Sequence, residues 1–219
     1  MLLRHFTDRT ALRLMMLGLV LAITGCASTG SAPDGADRGR AEQAVSADAR
    51  AAEIPPEALT MYEQAVAVMA SGDFLDAELR FKEFLLQYPG YPGAHVNLAI
   101  IHVNNDNDGD AMAAVDAALV IDPDYAPALN QLGMLHRRNG NFPEAEAAYL
   151  KAVTASPDYA LAHYNLGVLN ELYLQRLDSA LQHFERYQEI VGDDEQVGKW
   201  IADLERRVAS SQRTANISE

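Results

Sequence analysis

The stretch GNFPEAEAAYLKAV, Gly140–Val153, decides how the rest of the chain is read. Asn141 stands where a helix-capping side chain belongs, and Pro143 suits the first turn that follows. Ala145 and Tyr149 then put a small and a large residue at places whose counterparts return along the chain at a fixed distance. Pro89, Pro123 and Pro157 are evenly spaced, and each is followed two places later by a tyrosine, Tyr91, Tyr125 and Tyr159. Blocks of that same length starting at Ala58, Pro92, Ala126 and Ala160 bring like residues into register. The eighth place holds Ala65, Ala99, Gly133 and Gly167, the twentieth Ala77, Ala111 and Ala145, the twenty-fourth Phe81, Val115 and Tyr149. Small residues are needed where two helices approach closely, and large ones where the gap between neighbouring pairs must be filled.

With NLGVL (Asn165–Leu169) and the closing prolines, this pattern resembles the tetratricopeptide repeat family, whose helix-turn-helix units have the same period. The resemblance implies an all-α fold, an α-solenoid superhelix of about four such repeats. These occupy residues 55–192, as units of about 58–91, 92–125, 126–159 and 160–193. Asp106 takes the place that Gly72 and Gly140 hold in the first and third units. In the fourth, Ala180, Phe184 and Gly192 fall one place late, which a one-residue insertion near YLQRLD explains. Second helices begin at the capping residues Asp73, Asp108 and Asn141. Beyond Gly192, the residues Val197, Ile201, Leu204 and Val208 form one apolar stripe with acids first and arginines late. This is an amphipathic helix over 193–211 that caps the open end of the solenoid, with Trp200 near the seam. Residues 212–219 read as a disordered tail.

The 219-residue chain has a formal charge of -14, and without residues 1–25 it keeps 14 basic against 30 acidic side chains. Such a surface repels nucleic acid and anionic headgroups, which argues against both as partners. Residues 1–25 read as an export signal peptide, in which Arg4, Arg9 and Arg13 precede the apolar run Leu14–Thr24. That run is shorter than the about 20 residues a helix needs to span a bilayer. AITGCAS around Cys26 resembles the bacterial lipobox, which implies cleavage between Gly25 and Cys26 and acylation of Cys26. As the only cysteine, Cys26 leaves the mature domain no thiol to pair in an oxidising compartment. Ala27 stands where lipoproteins held at the inner membrane often have Asp. The same resemblance therefore points to a lipid anchor at the periplasmic face of the outer membrane. Residues 26–54, the lipidated cysteine and a stretch rich in Ala, Ser, Gly and Asp, bury too little to fold and read as a flexible tether spanning about 30 Å.

NNDNDGDA, Asn104–Ala111, gathers the oxygen-bearing side chains that a hard cation selects. Laid on a calcium loop with Gly109 sixth, however, its twelfth place falls on Val115, where a bidentate Glu is required. The cluster reads instead as the turn inside the second unit, with Asn and Asp supplying left-handed backbone and a cap. His95 and His163 share the fourth place of their repeats, and His102 and His136 the eleventh. His95 and His102 lie two helical turns apart, about 10 Å, too far to share an ion directly. Recurrence at fixed places is what packing produces, so no metal ligand and no cofactor are assigned. The sequence has no phosphate-cradling glycine loop, H-E-x-x-H or G-x-S-x-G, and enzyme function is not expected.

In the tetratricopeptide family the first helix of each repeat lines a concave groove, which the second, fifth, ninth and twelfth places face. Carried onto this sequence, those places are Leu59, Tyr62, Val66 and Met69, then Val96, Ile100 and Val103. The third and fourth repeats give Asn130, Met134 and Arg137, and Tyr164, Val168 and Glu171. Most are apolar or aromatic, which implies a groove for a helix or an extended peptide with Tyr and Met as adaptable anchors. The alternative is that part of this stripe packs against neighbouring repeats or the N-terminal segment. Lysines of the kind that clamp a C-terminal carboxylate in some relatives are missing. Asn97 would fit, but Tyr62 and Pro127 stand where such lysines would be.

The expectation is therefore a non-enzymatic protein–protein interaction scaffold anchored in the bacterial cell envelope. Among lipoproteins of this build the chain resembles the pilotin and pilus-assembly class, which implies help in assembling a pilus or secretion complex. Alternatives are an adaptor that recruits periplasmic peptidoglycan hydrolases or proteases, and an enzyme or metal-binding protein hidden in the repeats. The partner's identity and the oligomeric state are open at this level.

Overall fold

The computed structural model describes residues 54–217, so the signal-peptide, Cys26 and tether assignments lie outside the described residues. Glu57–Glu219 is a unit by itself and carries the repeats. Nine helices and no strand run through the described residues. They are α1 (Pro56–Ser71), α2 (Phe74–Gln87), α3 (Pro92–Asn104), α4 (Asp108–Ile121), α5 (Ala126–Arg138), α6 (Phe142–Ala155), α7 (Ala160–Leu172), α8 (Leu177–Val191) and α9 (Glu195–Ile217). The first eight form four hairpins.

Each hairpin turns on one left-handed residue, Gly72 (φ 90°), Asp106 (φ 54°), Gly140 (φ 77°) and Gln175 (φ 55°). Glycine adopts this backbone freely and Asp tolerates it, whereas Gln175 bears the steric cost of a Cβ there. The fourth turn thus reaches the same geometry without the usual residue, one place later in the chain. At the start of α2 the Asp73 side chain accepts from the Asp76 backbone N–H at 3.1 Å. Asn107, not Asp108, does the same for α4, accepting from Asp110 N–H at 3.2 Å. Asp108 is the first residue inside the helix, a correction to the sequence reading of its cap. Asn141 sits at the cap position of α6 without a side-chain cap bond.

Inside each hairpin the small eighth place meets the large twenty-fourth. A Cβ on Gly133 would lie 2.5 Å from the Tyr149 ring, and one on Gly167 2.7 Å from Phe184, shifted one place by the insertion. Phe81, Tyr149 and Phe184 are fully buried, worth roughly 1.5–3 kcal/mol each in apolar burial. Tyr91, Tyr125 and Tyr159, two places after the prolines, stand at the N-termini of α3, α5 and α7 without capping them by side-chain bonds. Their rings pack into the joints between hairpins instead.

First helices touch one another, α3 with α5 and α5 with α7, whereas α4, α6 and α8 do not touch among the described residues. Close spacing on one side and wide spacing on the other bends the stack, with the first helices on the inside. At the far end α9 lies on α8, burying Val197, Leu204 and Val208, with Trp200 and Ile201 packed against the cluster of Phe184 and Tyr187. This helix continues to Ile217, past the end expected from its stripe, which corrects the disordered tail over that stretch. Among the described residues no helix is long and apolar enough to cross a membrane.

Gly133→Ala gains about 1 kcal/mol of helix propensity but must displace the Tyr149 ring, an overpacking cost of about 1–3 kcal/mol. A net loss in urea denaturation is expected, and its reversal in Gly133→Ala/Tyr149→Leu would confirm that the ring is the obstacle.

Candidate partner-binding groove

The inner face is built from places of the first helices that differ in depth. The fifth place faces sideways into the next hairpin. Val96 is 6% exposed between Ala118 of α4 and Ala128 of α5, and Asn130 is 3% exposed. Asn130 Oδ1 accepts from Asn165 Nδ2 at 2.9 Å, a buried bond linking α5 to α7. Tyr62 packs edge-on against Phe81 and Phe84, and its hydroxyl accepts from Asn97 Nδ2 at 2.9 Å. Burial, with Tyr125 nearby, pushes the Tyr62 phenol up to about 12. The assignment of Tyr62, Val96 and Asn130 to an open groove is corrected: these side chains hold hairpins together. Asn97, which would suit a carboxylate clamp, is occupied by the same tyrosine.

The fourth repeat is covered. Tyr164 lies against Phe184, Tyr187 and Trp200, and Val168 joins that cluster. Glu171 receives Arg207 of α9 at 2.6 Å. Tyr164, Val168 and Glu171 therefore form the seat of the last helix, a second correction. The stripe of inner-face places could not show this, because the partner helix begins after the repeats end.

What stays open is the ninth and twelfth places of three repeats: Val66, Ile100 and Met134 in one row, Met69, Val103 and Arg137 in the other. Val66 is exposed and the other five are half-buried, each apolar one among them resting on a core cluster with its other side uncovered. At the α3–α5 end the strip widens into a cleft of about 480 Å³, lined by Val103, Met134, Arg137, Phe142 and Tyr173 among others. The Phe142 and Tyr173 rings stack at 4.6 Å on its rim. A separate apolar feature, Leu75, Leu79 and Leu86, is strongly exposed on α2, away from the groove.

The acidic turn of the second unit is engaged by a cation already present in the chain. Arg138 pairs with Asp106 at 2.6 Å and with Asp108 at 3.0 Å, across the joint from α5. Among the described residues no group of three or more His, Cys, Asp or Glu side chains could hold a metal ion. His163, grouped with His95 by repeat place, in fact meets His183 of α8, Nδ1 to Nδ1 at 3.2 Å. His163 Nε2–H donates to the Pro157 carbonyl at 3.0 Å, so its Nδ1 accepts and His183 Nδ1–H donates. Burial lowers both imidazoles, and with His163 beside it His183 falls to about 4. Only the fold brings these two together, since they stand on different helices with a turn between them.

Stacked hairpins with a partly open inner strip define a helical-repeat scaffold. Tetratricopeptide repeat profiles match residues 68–135 and 130–195, together more than half of the chain. The chain belongs to the tetratricopeptide repeat family. Among solved structures it is similar to Pseudomonas aeruginosa PilF, with 21% identity, 70% of this chain and 69% of that chain covered, and a TM-score of 0.62. A thermophilic tetratricopeptide protein of Thermus thermophilus matches with 24% identity, 76% and 91% coverage and a TM-score of 0.59. The first tetratricopeptide domain of Spaghetti (RPAP3), bound to the HSP90 peptide SRMEEVD, matches with 17% identity, 54% and 95% coverage and a TM-score of 0.50. At these identities the likeness is one of fold. No curated protein matches the chain in sequence. Domains of this family are protein–protein interaction scaffolds and generally not catalysts.

Two outcomes follow from the placement of these side chains. Tyr62→Ala and Asn165→Ala, which empty a joint or orphan a buried amide, are expected to cost about 1–4 kcal/mol in urea denaturation. Val66→Ala, on the open strip, is expected to stay within about 1 kcal/mol of the parent. For the histidines, the unfolded imidazole takes its proton near pH 6.5 while folded His183 resists until about 4. The unfolded state therefore binds more protons in that window, and stability falls as pH drops from 6.5 toward 4. His183→Gln is expected to flatten that fall by on the order of 1 kcal/mol, discounted for partial exposure, as measured by denaturation midpoints at neutral pH and near the lower end of that window.

Proposed function

We propose that this chain is a holder for another polypeptide, one that lies along the inner strip without undergoing chemistry. The observation that carries the reading is the pair of rows Val66–Ile100–Met134 and Met69–Val103, apolar side chains left partly uncovered in an otherwise acidic repeat domain. A continuous apolar strip rimmed by charge is what a peptide-binding surface requires. The RPAP3 domain bound to its HSP90 peptide supports the principle that stacked hairpins of this fold take up a short chain segment.

The finer reading comes from the sequence. The lipobox-like AITGCAS around Cys26 supports lipid attachment at the periplasmic face of the outer membrane, with residues 26–54 as the tether. In that setting the guest is a subunit of an envelope machine, and the resemblance to pilus-assembly lipoproteins favours a pilus or secretion component. Likeness of fold to PilF supports this choice over an adaptor for peptidoglycan hydrolases or proteases.

The test is capture in the native envelope. Ile100→Asp and Met134→Asp in the full chain are expected to lose the crosslinked partner by at least about 10-fold, the penalty of leaving a charge against apolar surface, with helicity unchanged. Leu79→Asp, on α2 and away from the groove, is expected to keep it. The opposite pattern would move the partner to α2 and overturn the groove reading. Substitution of Cys26 by Ser is expected to release the protein from the membrane fraction, and retention there would overturn the lipid anchor.

A further inference from the structure

We propose that the outer side of α2 is the seat for a second copy of this chain, laid antiparallel so that Leu75 of one copy faces Leu86 of the other. The proposal is independent of the groove reading and takes from the proposed function only the lipid attachment.

Leu75, Leu79 and Leu86 are 72%, 60% and 87% exposed. They lie on one side of α2, opposite the fully buried Ala77, Phe81 and Phe84. Packing of the repeat does not require leucine there. The places of Leu75 and Leu79 hold Gly109 and Ala113 in α4, Pro143 and Ala147 in α6 and, one place later, Asp178 and Gln182 in α8. A leucine stripe confined to one unit and left in water marks a contact surface.

The spacing identifies the occupant. Leu75, Leu79, Lys82 and Leu86 follow at intervals of four, three and four, the seam of a paired helix with a lysine at one inward place. A parallel pairing would set Lys82 against Lys82 of the second copy, like charge on like charge. Turned antiparallel about the point between Arg80 and Phe81, the same four residues match themselves. Leu75 meets Leu86, and Leu79 meets the methylene stem of Lys82, each pairing made twice. The Lys82 ammonium then arrives within one residue of the second copy's Glu78. In the single chain Lys82 Nζ pairs with Glu78 Oε1 at 2.5 Å, the lysine side chain largely exposed. Both charges thus stand at the edge of the stripe and can exchange partners between copies. A two-fold contact needs one surface that is its own complement, and this stripe meets that condition. A lipid surface is a poorer match, because Asp76, Glu78 and Glu83 outnumber Arg80 and Lys82 on α2 and repel anionic headgroups. Two helices of this length bury less than a stand-alone interface requires, so the copies pair where the lipid tether gathers them. With the first helices on the inside of the bend, each copy keeps its inner strip open.

The test is made on the full chain in its native envelope. Leu75→Cys and Leu86→Cys copies carrying different tags are co-expressed and treated with a short bis-maleimide, and the parent, whose one thiol is Cys26, sets the background. A mixed crosslink is expected, and none between like copies, whose thiols would stand about 16 Å apart along the seam. Lys82→Glu in both copies, or Glu78→Lys in both, is expected to lower the mixed crosslink at least about 10-fold. Lys82→Glu in one copy with Glu78→Lys in the other is expected to restore it. Leu79→Asp in both is expected to abolish it while capture of the guest stays; loss of the guest instead would give the stripe to the guest and overturn the seat. Crosslinks between like copies, or a mixed crosslink indifferent to the charge changes, would overturn the antiparallel pairing. No crosslink, with the chain still in the membrane fraction, would overturn the pairing and leave both anchor and groove intact. Flotation of the Cys26→Ser chain with phosphatidylethanolamine and phosphatidylglycerol vesicles, lost on adding Leu79→Asp, would assign the stripe to lipid and overturn the second copy.

Discussion

Contact between a residue without a side chain and an aromatic ring, made inside a hairpin, is the constraint on which this structure depends. Gly133 under Tyr149 and Gly167 under Phe184 leave no room for even one methyl group, so the two helices of a hairpin lie as close as their backbones permit. Close approach brings first helices near enough to touch across hairpins while second helices stay apart. The bend, and with it an inner face distinct from the outer one, is a consequence of this local steric fit. In the first two hairpins Ala65 and Ala99 serve in place of glycine, and both are buried.

Between hairpins a different physics operates, and it has a direction. The acid belongs to the earlier unit and the base to the later one in Asp106 and Asp108 with Arg138, Asp124 with Lys151, Glu146 with Arg176, Asp158 with Arg186, and Glu171 with Arg207. Exposed pairs of this kind are each worth at most about 1 kcal/mol, so they do not hold the stack together. Their effect is on register, because sliding one unit against the next would part every acid from its base. Burial supplies the cohesion, in the tyrosines of the joints and in the amide bond of Asn165 with Asn130. The first joint, where no such ion pair bridges the hairpins among the described residues, relies on Tyr62, Asn97 and the rings of Phe84, Tyr88 and Tyr91.

This division explains how far the sequence could be read. Steric constraints repeat, so the even spacing of the prolines and the pairing of the eighth with the twenty-fourth place were visible in the residues alone. The inserted residue before α8 was also legible, because Ala180 and Phe184 moved together. Caps and ends were less so: Asn107 and Asp108 are equally good on type, and the continuation of α9 beyond Ser211 has no stripe to announce it. The groove was legible only in part, since a periodic reading treats every repeat as if it had identical neighbours. Val96 and Asn130 lie at the same place as Tyr62 and yet meet different partners, while Tyr164, Val168 and Glu171 are covered by a helix outside the repeat. Nothing in the spacing could have joined His163 to His183, because that contact runs between unlike places of one hairpin.

These exclusions also set the size of what the open strip can hold. Three first helices contribute to it, and packed helices lie about 8–10 Å apart, so the rows from Val66 to Met134 and from Met69 to Arg137 span roughly 20 Å. An extended chain covers that distance with about six residues at about 3.3 Å each, and a helix with about thirteen at about 1.5 Å each. So short a footprint buries less than a stable stand-alone complex requires, unless the two partners are confined together. Under the proposed lipid attachment, a tether of about 30 Å holds the domain and a membrane-assembled guest within one thin layer. A second contact then becomes nearly intramolecular, and a modest intrinsic affinity suffices. The limited groove and the long, core-poor composition of residues 26–54 thus point to the same mode of action, in which confinement provides the strength and the strip provides the selectivity.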